Sequence, residues 1–345
     1  DAQLYLRNVH PDCVTGDGYA MALRAGASLI NMEFMQLFLM TVYPTRNLFH
    51  AWSKDVLRDM RNSTGRLFLS DYLPQGIDIE TCLEENIRHA PFSTRDPASR
   101  YLSIAIVQEI LAGRGTEHGG ILLDGRGVSF PEVQAAFLRY RGIDPAESPV
   151  EVSVGHQCSD GGVRIDEDGS TGITGLYACG EAASGMHGAD RIGGNMLAAA
   201  VIFGMRSGIA AAKNSASAER KAVSLSDTRS RISAVPKRGR FPLRGVLSRL
   251  KESSFRNLLV VKSEESLKRY LAELDSLRDE LMEVAISENP RDMILFRELE
   301  NLLLCGEATA LSALARKENR GGHYREDAIP WNENEPPLVS FIRSE

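Results

Sequence analysis

Gly172-Ile173-Thr174-Gly175-Leu176-Tyr177-Ala178-Cys179-Gly180-Glu181-Ala182-Ala183, followed by His187-Gly188-Ala189-Asp190-Arg191-Ile192-Gly193-Gly194-Asn195-Met196-Leu197, is the stretch on which the fold turns. Its texture is strand, glycine turn, strand and then a long Ala/Met/Ile helix beginning near Gly193, a β-to-α arrangement suited to cradling a cofactor. A buried strand ending in Ala178-Cys179-Gly180-Glu181 lets backbone approach a ligand at Gly180, where no Cβ intervenes, and sets Glu181 to accept hydrogen bonds from sugar hydroxyls. Gly193, Gly194 and Asn195 place bare N–H groups at the start of a helix over 196–212, with Met196 and Leu197 in its first turn. The positive end of that helix favours negative charge. A plain glycine-rich turn ahead of a core helix is the competing explanation, and the complete ordered set of features weighs against it.

Working outward, Thr15-Gly16-Asp17-Gly18 opens a predicted helix over 19–26, with Gly26 as its C-cap, and an apolar strand follows over 28–34. Residues 38–149 have mixed texture, with aromatic and charged residues around Trp52 and Tyr72 and a helical run over 100–111. They are expected to form an inserted α+β capping domain between two parts, 1–37 and 150–213, of one Rossmann-like α/β domain. Residues 214–245, rich in Ser, Lys and Arg with Pro236 and Pro242, suggest a solvated linker. In 246–345, Leu267, Tyr270, Leu271, Leu274, Leu277 and Leu281, then Ile294, Leu295, Leu299, Leu302 and Leu303, fall at helical spacing and predict a helical bundle.

Bulk properties exclude some functions. A chain of 345 residues, 43% hydrophobic and 25% charged, can bury a substantial core, and a net charge of −6 argues against a nucleic-acid-binding surface. Five cysteines without a C-x-x-C pair make no zinc, iron–sulfur or disulfide framework, and no metal site is readable. A reducing cytoplasm fits best, and the sequence shows no apolar run expected to span a bilayer and no leader.

The quoted residues resemble the flavoprotein family that contains succinate dehydrogenase, fumarate reductase, L-aspartate oxidase and adenylylsulfate reductase. The resemblance extends from Thr15-Gly16-Asp17-Gly18 to Arg320-Gly321-Gly322-His323-Tyr324-Arg325-Glu326-Asp327. It implies an FAD-dependent oxidoreductase that passes a hydride between flavin N5 and the carbon skeleton of a carboxylic acid, with the helix start at Gly193-Gly194-Asn195 beside the N1/C2=O edge of the flavin. Three residues carry over as catalytic candidates. Arg191 matches the arginine that clamps a substrate carboxylate, a task that suits the two-pronged guanidinium. His156, in His156-Gln157-Cys158-Ser159-Asp160-Gly161-Gly162, stands where the H-x-x-x-G-G histidine contacts the same carboxylate, with one residue more before the glycines. Arg95, in Arg95-Asp96-Pro97-Ala98-Ser99-Arg100, matches the arginine that moves a proton on the substrate carbon, with Asp96 and Arg100 as relay candidates. A buried structural histidine, an Arg191–Asp190 salt bridge and an Asp96 helix cap are the corresponding bland readings.

Departures from the family are informative. In Met32-Glu33-Phe34-Met35-Gln36-Leu37-Phe38-Leu39 the E-F-x-Q-F-H-P element has lost its histidine to Phe38 and its proline to Leu39, and the Thr-Glu pair that follows in the family has no counterpart. The pocket, with Gln36, Phe38 and His187 around it, is therefore expected to be less polar at its far end, which favours a monoacid or a larger anion over succinate or fumarate. No G-x-G-x-x-G follows a strand near Asp1, so the ADP half of FAD is expected to be held by a companion chain. Further expectations are a place at the periphery of a membrane complex and an electron-transfer subunit. An adenylylsulfate-reductase-like or L-aspartate-oxidase-like enzyme, and a flavin-free scaffold, are the alternatives.

Overall fold

The computed structural model describes residues 1–44, 53–88, 98–128, 132–144, 146–218, 239–286, 289–330 and 339–343, with positions 46, 225, 226 and 230. Helix α1 (Asp17–Arg24) forms where predicted and buries Tyr19, Ala20, Ala22 and Leu23. The strand expected over 28–34 is confined to two residues, and a second strand begins just beyond it. Strand β1 (Leu29–Ile30) stops at Asn31, whose φ of 58° breaks the extended backbone, and β2 (Met35–Tyr43) begins after this turn in a different sheet. Strand β2 is buried at every residue except Tyr43, so its side chains, apolar apart from Gln36 and Thr41, lack the alternation that marks a half-exposed strand.

The inserted region contributes α2 (Lys54–Arg58), β3 (Met60–Arg61), α3 (Ile79–Arg88), α4 (Arg100–Glu109), β4 (Ile121–Leu123) and α5 (Glu132–Tyr140). Strand β5 (Val150–Ser159) pairs antiparallel with β2 and β4, giving a four-stranded sheet in the order β2-β5-β4-β3. The β2–β5 ladder steps from Gln36 opposite Cys158 to Leu37 opposite His156, so Gln157 is the extra residue of a β-bulge. Strand β6 (Gly162–Arg164) returns beside β1, flanked by β7 (Ala183–Ser184), while Phe341–Ile342 closes the other edge of this second sheet.

The strand expected to end at Glu181 does not form. Leu176, Tyr177 and Ala178 are half-buried and Cys179 is exposed, although Cys179 is extended (φ −154°, ψ 176°). Extended backbone needs a neighbour to complete a ladder, and the contact made here is an isolated bridge between Ser170 and Tyr177. A 3-10 turn over Gly180–Ala182 follows.

Helix α6 (Asn195–Ser217) is longer than predicted and corrects the expectation about membrane spans: among the described residues it is long and apolar enough to cross a bilayer, with a mean hydropathy of 1.4 over its most apolar 18-residue window. It is nevertheless pinned to the hairpin before it through Ser207 Oγ, which donates to Ala178 O at 3.2 Å, and through Arg206 Nη2 to Asp168 Oδ1 at 3.3 Å. Gly169 makes this approach feasible, because a Cβ there would stand 1.9 Å from Ser207 Oγ, at a φ of +76°. Gly169→Ala is expected to destabilise the fold by about 2–4 kcal/mol from overlap plus left-handed strain, against about 1–2 kcal/mol of strain alone for Gly172→Ala. Gly172 (φ +81°) faces open space, so urea unfolding of the two variants isolates the packing contribution, and equal losses would contradict it.

The C-terminal helices are α7 (Leu243–Asn257), α8 (Glu264–Met282) and α9 (Pro290–Ala315). Helix α8 buries Leu267, Tyr270, Leu274, Leu277 and Leu281 as predicted, opened by a Ser263/Ser266 capping box. On α9 Leu299, Leu302 and Leu303 are buried, but Ile294 is exposed and Phe296 takes a core position. Helix α7 escaped the periodicity reading because its buried stripe mixes Leu243, Val246 and Leu250 with Ser253, Ser254 and Asn257.

Candidate functional site

Three segments converge where β2 meets β5. The Gln36 amide Nε2 donates to Asp190 Oδ1 at 2.9 Å and to Arg191 O at 2.7 Å, so the strand that carries the altered family element grips the loop that carries the guanidinium. The Arg191 guanidinium donates to Ile192 O at 3.1 Å and, across the bulge, to Gln157 Oε1 at 3.3 Å. Arg191 is buried, and its backbone N–H donates to Asp160 Oδ2 at 3.3 Å. Cys158 completes the cluster by donating to Gln36 Oε1 at 3.3 Å.

His156 lies one residue before the bulge. It is fully buried, stacked on Tyr5 at 4.5 Å between ring centroids, and its Nε2 meets Ser159 Oγ at 3.1 Å, while Nδ1 has no hydrogen-bond partner among the described residues. His10, which also contacts Gln157 O, tilts toward the same ring at 6.1 Å. Phe38 is buried on β2 opposite Gly155. His187 opens the Arg191 loop, half-buried, with its Nε2 unpaired among the described residues. Arg95 and Asp96 lie outside the described residues, as do Thr45 and Trp52.

Glu181 Oε1 accepts the backbone N–H of Ser159 at 3.0 Å, which aims the carboxylate along a cavity of about 270 Å³ bounded by residues 13–19 and by Ala182. Gly180 (φ +67°) and Gly194 (φ +85°) both face open space, with nothing within 4 Å of an added Cβ, and Gly193, Gly194 and Asn195 are exposed at the start of α6.

The FAD binding domain family matches residues 2–197, more than half of the chain, and the fumarate reductase flavoprotein C-terminal family matches residues 248–335. The chain belongs to the succinate dehydrogenase/fumarate reductase flavoprotein family. A fumarate reductase (CoM/CoB) polypeptide from Methanothermobacter marburgensis is 34% identical over 90% of this chain and 56% of its own length. L-aspartate oxidase of Mycobacterium leprae is 33% identical over 93% of this chain and 56% of its own length. Among solved structures, E. coli quinol fumarate reductase FrdA superposes with a TM-score of 0.77 at 25% identity, covering 100% of this chain and 62% of that one. The chain therefore spans little more than half the length of the relatives it matches.

The residues of this flavoprotein fit FAD. The carboxylate of Glu181, the open glycine backbone at Gly180 and the helix start at Gly193-Gly194-Asn195 are the donors and acceptors that a ribityl chain and an anionic ring edge require. Met196 and Leu197 follow in the first turn of α6, with Leu197 exposed.

Burial sets the protonation states around Arg191. His156 is held well below its usual value by desolvation, and His187 is lowered by burial and by Arg191. Both are neutral at pH 7. Asp160 is pushed up to about 8, by burial first and by Asp190 second, so it carries a proton at pH 7. Because its folded value lies above its unfolded value of 3.8, folding is favoured less as pH rises from about 4 to about 8. Asp160→Asn is expected to retain the native stability at pH 5 and to remove this decline; a variant with an unchanged slope between pH 5 and 8 would contradict the assignment.

Sequence reasoning missed Gln157, Cys158, Asp160, Tyr5 and His10. The first three sit inside the H-x-x-x-G-G-like element and could have been flagged by their position. Tyr5 and His10 reach the site from a loop with no motif of its own.

Proposed function

We propose that this chain forms the substrate-binding part, and a share of the FAD-binding part, of an FAD-dependent dehydrogenase or reductase acting on the CH–CH bond of a carboxylic acid, in the manner of fumarate reductase. The observation that carries the proposal is Arg191: a buried guanidinium, held in place by Gln157 and Ile192, directly precedes the exposed helix start Gly193-Gly194-Asn195. FAD, when bound there, supplies two-electron redox chemistry next to the clamped acid. Arg191 binds and orients the substrate carboxylate, and the neutral His156 and His187 lend hydrogen bonds without adding fixed charge. Arg95 is the residue assigned to move the proton on the substrate carbon. Phe38 and Leu39, both buried and apolar, replace a polar contact and favour an acid with one carboxylate at this end.

On this reading 1–37 and 150–213 belong to the FAD-binding domain, 38–149 cap it, 214–245 link it, and 246–345 form the helical domain. The apolar face of α6 supports a companion. Leu197, Val201, Ile202, Met205 and Ile209 are each at least half exposed along one helix, a strip that water rarely meets in a stable fold. A companion polypeptide with the remaining FAD-binding sheet covers this face and holds the ADP half of the cofactor, and an electron-transfer subunit serves the assembly. The anchoring of α6 at its middle by the charged Arg206–Asp168 pair favours this cover over a bilayer.

Glu181→Gln tests the cofactor part. Replacing a charge-assisted acceptor by a neutral one is expected to weaken FAD retention about 10-fold, read as flavin lost on desalting of the assembled protein. Full retention would count against the ribityl assignment.

A further inference from the structure

The turn Arg320-Gly321-Gly322-His323 closes on itself through Arg320 N–H to His323 O (3.2 Å) and His323 N–H to Arg320 O (2.9 Å). Foreign backbone lies against it on two sides. A Cβ on Gly321 (φ +51°) would stand 2.1 Å from Ala189 O, and one on Gly322 would stand 2.2 Å from Met35 O. The Gly322 N–H donates to that same Ala189 O at 3.2 Å. Ala189 lies two residues before Arg191, and Met35 adjoins Gln36, whose amide holds Asp190 and Arg191 O. The turn therefore abuts both the loop that carries the guanidinium and the strand that fixes the loop.

Its other end reaches the start of α4. The guanidinium of Arg100 lies over the Tyr324 ring, 5.1 Å from its centroid. Arg100 is the first residue of α4 and the last of the element that contains Arg95. Arg325 ties the turn to the end of α9, with Nη1 donating to the carbonyls of Ala313, Leu314 and Arg316 at 3.1, 3.2 and 3.1 Å. Asp327 takes the other edge of the same guanidinium at 2.9 Å.

We infer that the 320–324 turn, contributed by the C-terminal helical unit, is a positioning element that fixes the Arg191 loop and the start of α4 relative to each other. The inference rests on the carboxylate reading above for its effect on turnover, and on packing alone for its effect on the loop. Displacing a reacting group by about 1 Å can cost about 100-fold in rate, and relieving a Cβ approach of 2.1 Å to Ala189 O, where contacts under 3.0 Å are not tolerated, demands a shift of that order.

The assembled, flavin-loaded protein is the test material, with a saturated and an unsaturated monoacid as probes. Gly321→Ala is expected to raise KM at least about 10-fold with flavin content unchanged, through displacement of the clamp loop. Tyr324→Leu is expected to lower kcat about 10-fold with KM within about twofold, and Tyr324→Phe, which keeps the ring beneath Arg100, to restore it. Hydrogen exchange without substrate reads the same coupling: faster exchange over 187–192 in the first variant and over 98–103 in the second. An unchanged KM for Gly321→Ala, equal losses in both Tyr324 variants, or unaltered exchange would overturn the inference. Altered exchange in the two variants, together with a flavin-loaded wild-type assembly that turns over no carboxylate, would leave the positioning role standing and sink the functional reading instead.

Discussion

Arg191→Gln lowers kcat/KM for the carboxylate substrate by about 10²–10³-fold while leaving flavin content and folding nearly unchanged. The size follows from two charge-assisted hydrogen bonds, each worth about 1.5–3 kcal/mol, at a buried site where water does not compete. Glutamine can offer one neutral donor in their place. The small structural cost follows from the neighbours. Asp160 is protonated at pH 7, with its value pushed up to about 8, so removing the guanidinium strands no buried anion there, and Asp190 keeps its hydrogen bond from Gln36. Arg191→Lys is expected to recover little, because an ammonium cannot make the forked contact. Steady-state kinetics on the assembled protein checks this, and a loss below about fivefold would remove Arg191 from the clamp.

Arg316→Met is expected to cost about 3–5 kcal/mol in unfolding free energy, the largest stability effect anticipated for a single side chain here. Arg316 Nε meets Glu33 Oε1 at 2.6 Å, with side-chain exposures of 1% and 0%. Ser340 Oγ donates to the second oxygen of Glu33 at 2.7 Å, and the Arg316 guanidinium lies 4.6 Å over the Phe34 ring. The pair joins the turn between β1 and β2 to the end of α9, so the cost of an unpaired Glu33 falls on the junction between the sheets and the helical unit. Lys262, buried close to Glu33 and lowered to about 8 by desolvation, makes no hydrogen bond among the described residues and does not replace the pair. Glu33→Gln combined with Arg316→Met is expected to recover most of the loss, since it removes both charges of the pair while Glu318, the second partner of Arg316 at 3.2 Å, keeps Arg320 at 2.7 Å. Urea unfolding of Arg316→Met, of Glu33→Gln alone and of the double variant measures this, and additive losses would refute it.

The legible parts of the molecule were those in which local chemistry and tertiary role agree. Helix α8 repeats its leucines at the helical period, and Gly194, the residue before α6, opens the helix and faces open space. Strand β2 was hidden because burial on both faces erases alternation. Strand formation at Ala178–Cys179 was overestimated because an extended backbone forms a ladder only when a neighbour is at hand. The polar shell of Arg191 is held across distant segments, by Gln36, Gln157 and Asp160, and such contacts leave no spacing in the chain to detect. Serine and asparagine on the buried stripe of α7 hid a helix for a related reason: their hydrogen bonds, such as Ser254 Oγ with Tyr270 Oη at 2.8 Å, are satisfied only in the assembled bundle.

The central claim, that this chain builds an FAD site with a carboxylate clamp at Arg191, is tested most directly by the absorption spectrum of the assembled native protein titrated with a monocarboxylate. A flavin spectrum that shifts on titration, FAD released on denaturation, and loss of the shift in Arg191→Gln are the predicted results. An assembly with no flavin absorbance, or one whose flavin shift is equal in wild type and Arg191→Gln, would contradict the account.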